Sequence, residues 1–391
     1  MLESLTREGT SVEAASLETI ETPALVLDVA KVDRNIARLR QHLAGLGVSF
    51  RPHVKTAKSI DVAQRLFPDG VGPITVSTLA EAEYFAGHGF RDIIYAVGLA
   101  PQKAERALQL RGEGVDLKVI LDTVDQAQAL GATGRALGIA PSALIEIDSD
   151  NHRGGLAPDD PLLSEVAAAL RDSCVELAGV LTHAGESYAL NDPESLAAAA
   201  EAERAGAVAA ATSLRSQGYD CPIVSVGSTP TAHFARNLDG VTEVRAGVFV
   251  FFDLVMLGIG VCTVDDIALS VLATVIGKKA EKGWLLVDSG WMALSRDRGT
   301  ASQAVDQGYG LVCDIDGRPY PDLIVAQASQ EHGVLALRPG SSETLPDLPV
   351  GARVRILPNH ACATAAQHEF YNVVAGDNRQ IEAQWQRMRG W

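Results

Sequence analysis

Between residues 48 and 246 the chain repeats one pattern eight times: a short β-branched run, a polar crossing, then a stretch with helical spacing. The runs lie near 48–53, 73–77, 92–97, 117–122, 143–148, 176–182, 222–226 and 242–246. The clearest helical stretches between them are 80–86, 101–110, 124–137, 162–171, 193–217 and 229–237. Strand–helix alternation implies a parallel sheet with helical crossovers, and eight units is the number at which such a sheet closes into a (β/α)8 barrel. A doubly wound open sheet is the alternative. It would carry a GxGxxG turn after its first strand, and none is present there.

Ahead of the repeat, residues 1–20 are polar and read as a loose arm, residues 22–29 as a strand. A helix follows over 32–46, with Ile36, Leu39, Leu43 and Leu46 near a 3.6 period. Past about residue 260 the pattern changes to strands separated by turn-rich loops, near 267–276, 283–287, 323–326, 334–337 and 352–357, with 339–349 as a surface loop. The expected organisation is an α/β barrel over 22–260 and a mostly β domain made of 1–21 with 261–391.

Net charge is −16, from 49 acidic against 33 basic residues. That excludes nucleic acid and anionic membrane surfaces as natural partners, since both attract basic patches. Five cysteines are scattered with no CxxC spacing, so a reducing, cytoplasmic setting is expected. The N-terminus has no basic segment followed by an apolar core, and no apolar run approaches the ~20 residues of a membrane span.

In a barrel of this kind, side chains just past the strand ends line the active-site mouth. Lys55, in Arg51-Pro52-His53-Val54-Lys55-Thr56-Ala57-Lys58-Ser59, follows the first strand. Among other cations (Arg51, Lys58, His53) such a lysine loses its proton more readily, and a neutral amine is what Schiff-base chemistry needs. The plain alternative is a surface lysine. Arg153 follows strand five, Thr182 to Tyr188 strand six, Gly227-Ser228-Thr229 strand seven and Arg245-Ala246-Gly247 strand eight.

Gly227-Ser228-Thr229 opens a helix where barrels of this type bind phosphate: glycine lets amides approach an anion, and hydroxyls and the helix N-terminus favour negative charge. An ordinary Ser/Thr N-cap is the alternative. A Schiff-base lysine with a phosphate cup points to pyridoxal 5'-phosphate, with Arg153 and Tyr188 as neighbours of its ring nitrogen. In the second domain, His360 and Cys362 are two apart and share one face of an extended segment. One imidazole and one thiolate suit zinc, with positions left open; a buried cysteine beside a structural histidine is the alternative. The loops 288–291 and 295–300, the latter arginine-bearing, are placed to meet a substrate carboxylate, and 330–333 is a further polar turn.

These segments, together with Thr22-Pro23-Ala24, Thr182-His183-Ala184-Gly185, Asp288-Ser289-Gly290-Trp291 and Pro358-Asn359-His360-Ala361-Cys362, resemble the fold-type III pyridoxal phosphate enzymes of the D-serine dehydratase and D-threonine aldolase group. The resemblance covers nearly the whole chain. It implies an alanine-racemase-like barrel with a β domain and a homodimer. It also implies Lys55 as the cofactor lysine, and Arg153, Thr182, Tyr188, Gly227, Ser228, Thr229 and Gly247 around the cofactor. His360 and Cys362 become the ligands of zinc or manganese. Aldolase members tend to carry His-x-Asp and dehydratases His-x-Cys, so the expected activity is a lyase removing water from a β-hydroxy D-amino acid to give an oxo acid and ammonia. Segments 248–253 and 292–300 resemble members acting on D-threo-3-hydroxyaspartate; D-serine is the other substrate expected. Retro-aldol cleavage is the alternative within the family. A racemase, which would need a second base and no metal, or a non-catalytic pyridoxal phosphate carrier, which is usually one domain, are the alternatives outside it.

Overall fold

In a computed structural model, described here for residues 15–391 apart from 377, the eight expected strands form one parallel sheet: Ser49–Phe50, Ile74–Val76, Asp92–Gly98, Asp116–Leu121, Ser142–Ile147, Glu176–Thr182, Ile223–Val226 and Glu243–Val244. From Ile74–Val76 onward each strand pairs with the next in the chain, and the last, Glu243–Val244, pairs with the first, Ser49–Phe50. The remaining seam closes through a parallel bridge between His53 and Thr75, with Thr75 N–H donating to Pro52 O (2.9 Å) and Val54 N–H to Thr75 O (3.0 Å). The barrel is therefore zipped shut by the segment that carries Lys55.

The helices form where caps and apolar spacing direct them. Asp28 caps helix Val29–Gly45, its Oδ1 accepting from Ala30 N–H (3.0 Å) and Lys31 N–H (3.2 Å), and a reciprocal Thr123/Gln126 capping box starts Val124–Leu137. Helix Pro193–Ser216 starts on Asp192 and a proline, and lays small buried residues (Ala207, Ala210, Ala211) against the barrel.

The second sheet has nine strands, and six of them close on themselves through an added pairing of Leu269–Lys279 with Trp284–Val287. One of the nine is Ala24–Asp28, which pairs antiparallel with Leu269–Lys279 and parallel with Phe370–Val374. Barrel residues expected from position 22 thus begin only with the helix after this strand. Its five residues are all buried, and the sheet of the other domain covers them. Strands Leu311–Cys313, Phe370–Val374 and Ala383–Gln386 were not expected. Residues 1–14 of the expected arm lie outside the described residues. No helix among the described residues is long and apolar enough to cross a membrane.

Arg51 does not sit beside Lys55. It is buried at the far end of the barrel, where Nε donates to Glu243 Oε2 (2.8 Å) and the guanidinium grips Asp92 with bonds of 2.9 and 3.0 Å. Removing one partner of a buried pair strands the other. Arg51→Met is expected to cost about 3–5 kcal/mol, read as a lowered urea midpoint at pH 7, whereas breaking the exposed pair Arg171–Asp172 should leave that midpoint nearly unchanged.

Candidate active site

At the C-terminal rim of the barrel a cavity of about 410 Å³ opens between the two domains. Lys55, Arg153, Tyr188, Gly227, Ser228, Thr229 and Gly247 line it from the barrel, and His360, Cys362 and Asp297 from the β domain. Thr182 does not: it is fully buried behind the wall, its Oγ1 2.9 Å from Ser149 Oγ and its carbonyl accepting from Arg245. Three hydrogen bonds fix the domains around the cavity. Leu254 N–H donates to Pro358 O (3.0 Å), Val255 N–H to Asn359 O (3.1 Å) and Ala361 N–H to Asp253 Oδ2 (2.9 Å). Four non-glycine residues with positive φ (Lys58, Asn151, Phe252 and Ser295) stand in the loops that supply Lys55, Arg153, Asp253 and Asp297, the distribution expected where backbone strain serves a site.

Burial lowers the Lys55 pKa; Cys362 opposes that, and Arg153 and Arg245 add to it. The expected cations Arg51 and Lys58 take no part, because Lys58 is paired with Glu81 at 2.8 Å. His53 lends no charge either: burial, then Lys55 and Arg245, hold its pKa well below the usual range. Its Nδ1 accepts from Lys55 N–H at 3.5 Å, and its Nε2 lies 3.2 Å from Ser77 Oγ.

The glycine at 227 is required. It has φ +133°, and a Cβ there would lie 2.1 Å from Arg245 O. Ser228 is an N-cap after all, its Oγ accepting from Thr231 N–H (3.2 Å) and its N–H donating to Thr231 Oγ1 (2.9 Å). Thr229 is different. Its hydroxyl is buried with no partner among the described residues, an orphan on the cavity wall that an anion's oxygen would satisfy. A phosphate therefore fits this cup, held by Thr229 more than by the Ser228 hydroxyl. Tyr188 is 36% exposed at the cavity edge. Burial of its hydroxyl raises the phenol pKa against a hydrogen bond from Thr229 N–H.

The segment carrying His360 and Cys362 is not extended throughout. His360 is the N-cap of the short helix Ala361–Ala365, in which Cys362 occupies the first turn, and both side chains still reach the cavity. His360 Nδ1 lies 2.6 Å from Asp297 Oδ2, which orients the ring and leaves Nε2 for another partner. Burial opposes charge on His360, but hydrogen bonds to Asp297 and Cys362 outweigh it and raise its pKa to about 11. Burial likewise pushes the Cys362 thiol up, and its hydrogen bond to His360 holds it below the usual value. An imidazole and a thiol side by side, with a carboxylate behind the ring, form a donor set that fits a divalent ion. Among the described residues no group of three or more His, Cys, Asp or Glu is placed to hold a metal.

Four residues here take roles that the sequence does not announce, although His183 and Arg245 are among the expected rim positions and Asp297 is in the polar loop 295–300. Asp297 stands 63 positions from His360, and no local spacing announces such a pair. In the same loop the arginines turn away, Arg296 over Trp291 and Arg298 to Asp306. Arg245 hydrogen-bonds Ser225 Oγ (2.9 Å), and burial lowers its pKa to about 10. Glu203 is 2% exposed and accepts from both Ala184 N–H and Gly227 N–H at 2.9 Å, tying two cavity loops together. His183 is held near pKa 3 by burial first and Lys55 second; it stays neutral, its Nδ1 3.1 Å from Gly227 O.

A barrel closed through its lysine loop, with a β domain seated at its C-terminal rim, is the architecture of the alanine-racemase-like class of two-domain proteins. Residues 27–255 match the alanine racemase N-terminal domain and residues 268–374 the serine dehydratase domain. The chain belongs to the alanine racemase N-terminal domain family, in the branch that carries the serine dehydratase domain. It is 55% identical over 379 residues to D-threo-3-hydroxyaspartate dehydratase of Delftia sp. (strain HT23), covering 96% of this chain and 99% of that protein. It is 30% identical over 389 residues to D-serine dehydratase of Dictyostelium discoideum, covering 94% and 96%. The solved Delftia structure superposes with a TM-score of 0.93, covering 96% of this chain and 100% of the other. Its histidine-to-alanine variant superposes with the same TM-score, covering 97% of each chain, and its cysteine-to-alanine variant in a metal-free form does so covering 96% and 100%; the two substituted positions lie two apart.

His183 sets a pH dependence. Its folded-state pKa lies below its unfolded one, so the unfolded chain takes up the proton first as pH falls. Stability should drop from about pH 6.5 downward, by at most about 1.4 kcal/mol per pH unit from this group. Urea midpoints at pH 7, 6 and 5 should show a fall to which His53 and His233 also contribute, and His183→Asn should make it shallower by the share of one group.

Proposed function

We propose that the protein is a lyase removing water from a β-hydroxy D-amino acid, D-threo-3-hydroxyaspartate foremost and D-serine next, to give an oxo acid and ammonia. One observation carries this reading: Lys55 and the His360–Cys362 pair, from different domains, line the same cavity. When bound, pyridoxal 5'-phosphate supplies an electron sink and a divalent ion makes the β-hydroxyl a better leaving group.

Lys55 would hold the cofactor covalently through Nζ. When not so engaged, Nζ would be the base that receives the substrate's Cα proton, its affinity for protons lowered by burial and by Arg153. Thr229 would donate its hydroxyl to the phosphate, with Gly227, Ser228 and Gly247 lining the same wall. Arg153 and Tyr188 would neighbour the ring nitrogen and, lacking a carboxylate's charge, would temper the sink. His360 through Nε2 and Cys362 through Sγ hold the ion, and Asp297 keeps the imidazole turned toward it. The thiolate favours zinc over manganese, which prefers oxygen ligands. The spacing of the histidine and cysteine replaced in the Delftia structures supports this pair, as does the metal-free form of the cysteine variant. His-x-Cys rather than His-x-Asp favours dehydration over retro-aldol cleavage. The unit of function is taken to be a cytoplasmic homodimer acting on small molecules.

The deciding assay incubates the holoenzyme with D-threo-3-hydroxyaspartate, D-serine and D-threonine and measures ammonia and aldehyde separately. Ammonia with an equimolar oxo acid is expected, and aldehyde in its place would turn the assignment to an aldolase. Lys55→Ala should lose both the cofactor absorbance band and ammonia release. Cys362→Ala should keep the band and lose at least about 100-fold in ammonia release; full activity of that variant in chelator would remove the metal from the reaction.

A further inference from the structure

Residues 56, 57 and 58, which follow the cofactor lysine, each touch the β domain. Thr56 Oγ1 lies 3.2 Å from Cys362 Sγ, Tyr371 Oη donates to Ala57 O (2.6 Å), and Met388 N–H donates to Lys58 O (2.7 Å). The last two are backbone clamps that any residue at 57 or 58 could accept. The first depends on a side chain. Thr56 is fully buried, and its hydroxyl stands 3.3 Å from where a Cβ at Gly247 would be, so the glycine keeps space open for it. The hydroxyl's neighbour is the sulfur assigned above to the metal, and its own backbone is one peptide from Lys55. Among the described residues no other pair of side chains joins the two halves of the site so directly.

We propose that Thr56 is a positioning residue that couples the two halves thermodynamically: its hydroxyl donates to Cys362 Sγ, so an ion held at Cys362 also fixes the Lys55 loop for the cofactor. This rests on the reading of Lys55 and Cys362 under Proposed function. A sulfur held between an ion and a donor has its lone-pair direction set, and the donor in turn loses its rotational freedom. Ordering that one binding event has already supplied need not be supplied by the other, so the two ligands favour each other. Linkage makes the effect reciprocal: the factor by which zinc tightens the cofactor equals the factor by which the cofactor tightens zinc.

The test measures binding rather than turnover. Apoprotein is titrated with pyridoxal phosphate, followed by protein fluorescence, in chelator and in saturating zinc. It is then titrated with zinc against a chromophoric chelator, with and without cofactor. In the unmodified protein, zinc should tighten the cofactor by about 5-fold or more, and the cofactor should tighten zinc by the same factor. Thr56→Val, which keeps the shape and loses the donor, should weaken zinc about 10-fold and bring the coupling factor close to one. Thr56→Ser, which keeps the donor, should restore both. A merely structural role for Thr56 would lower both affinities and leave their ratio unchanged. Coupling that survives in Thr56→Val, or fails to return in Thr56→Ser, overturns the proposal. So does its absence in the unmodified protein, a measurement that needs no variant to fold. Failure of the underlying reading looks different: Cys362→Ala would then bind zinc as tightly as before, or Lys55→Ala would keep the cofactor band.

Discussion

The parallel bridge between His53 and Thr75 is the contact on which the rest of the architecture turns. Without it eight strands form an open sheet with two unpaired edges; with it they close, and the chain leaving the seam is forced up through Val54 to Lys55 at the rim. The same few residues are then gripped by the second domain at 56, 57 and 58. Closure of the barrel, placement of the lysine and docking of the β domain are thus one construction, which is why the reactive amine can be held in a cavity rather than on a loose loop.

The cavity's electrostatics follow from what each wall contributes. The barrel wall is cationic (Lys55, Arg153, Arg245), with two histidines that burial keeps neutral. The β-domain wall carries Asp297, His360 and Cys362, while Asp253 and Glu146 add carboxyl groups from the barrel side. On the proposed function, an anionic cofactor and a divalent ion would be drawn to different walls of one space, with a substrate between them. Behind the barrel wall Glu243 ties Arg51 to Ser225, and Ser225 ties on to Arg245, so the cationic floor is braced by charge through the core.

Much of the barrel was legible because its strands are buried on both faces and read as unbroken β-branched runs, and all eight appear in the expected order. Strand Ala24–Asp28 was legible as a strand but not as part of the other sheet. Its partners, Val271 opposite Leu25 and Val373 beside Leu27, lie far along the chain, and no local pattern encodes such a pairing. The short strand Leu311–Cys313 and the half-exposed Ala383–Gln386 are too brief or too polar to stand out from turns. At the site, residue types with a fixed offset were readable: Lys55 past a strand, Gly227 before a helix, His360 two before Cys362. Asp297, Arg245 and Glu203 were not, because each acts through a partner that only folding brings near. Ser228 shows the converse: a hydroxyl in the right place for phosphate is used as a cap, and the free one is its neighbour.

A shared site is tested most directly by anomalous diffraction from crystals grown with zinc and pyridoxal phosphate, recorded on both sides of the zinc edge. One peak about 2.3 Å from Cys362 Sγ and about 2.0 Å from His360 Nε2 is predicted, facing cofactor density continuous with Lys55 Nζ. Zinc bound elsewhere, or cofactor density that does not reach residue 55, would contradict it.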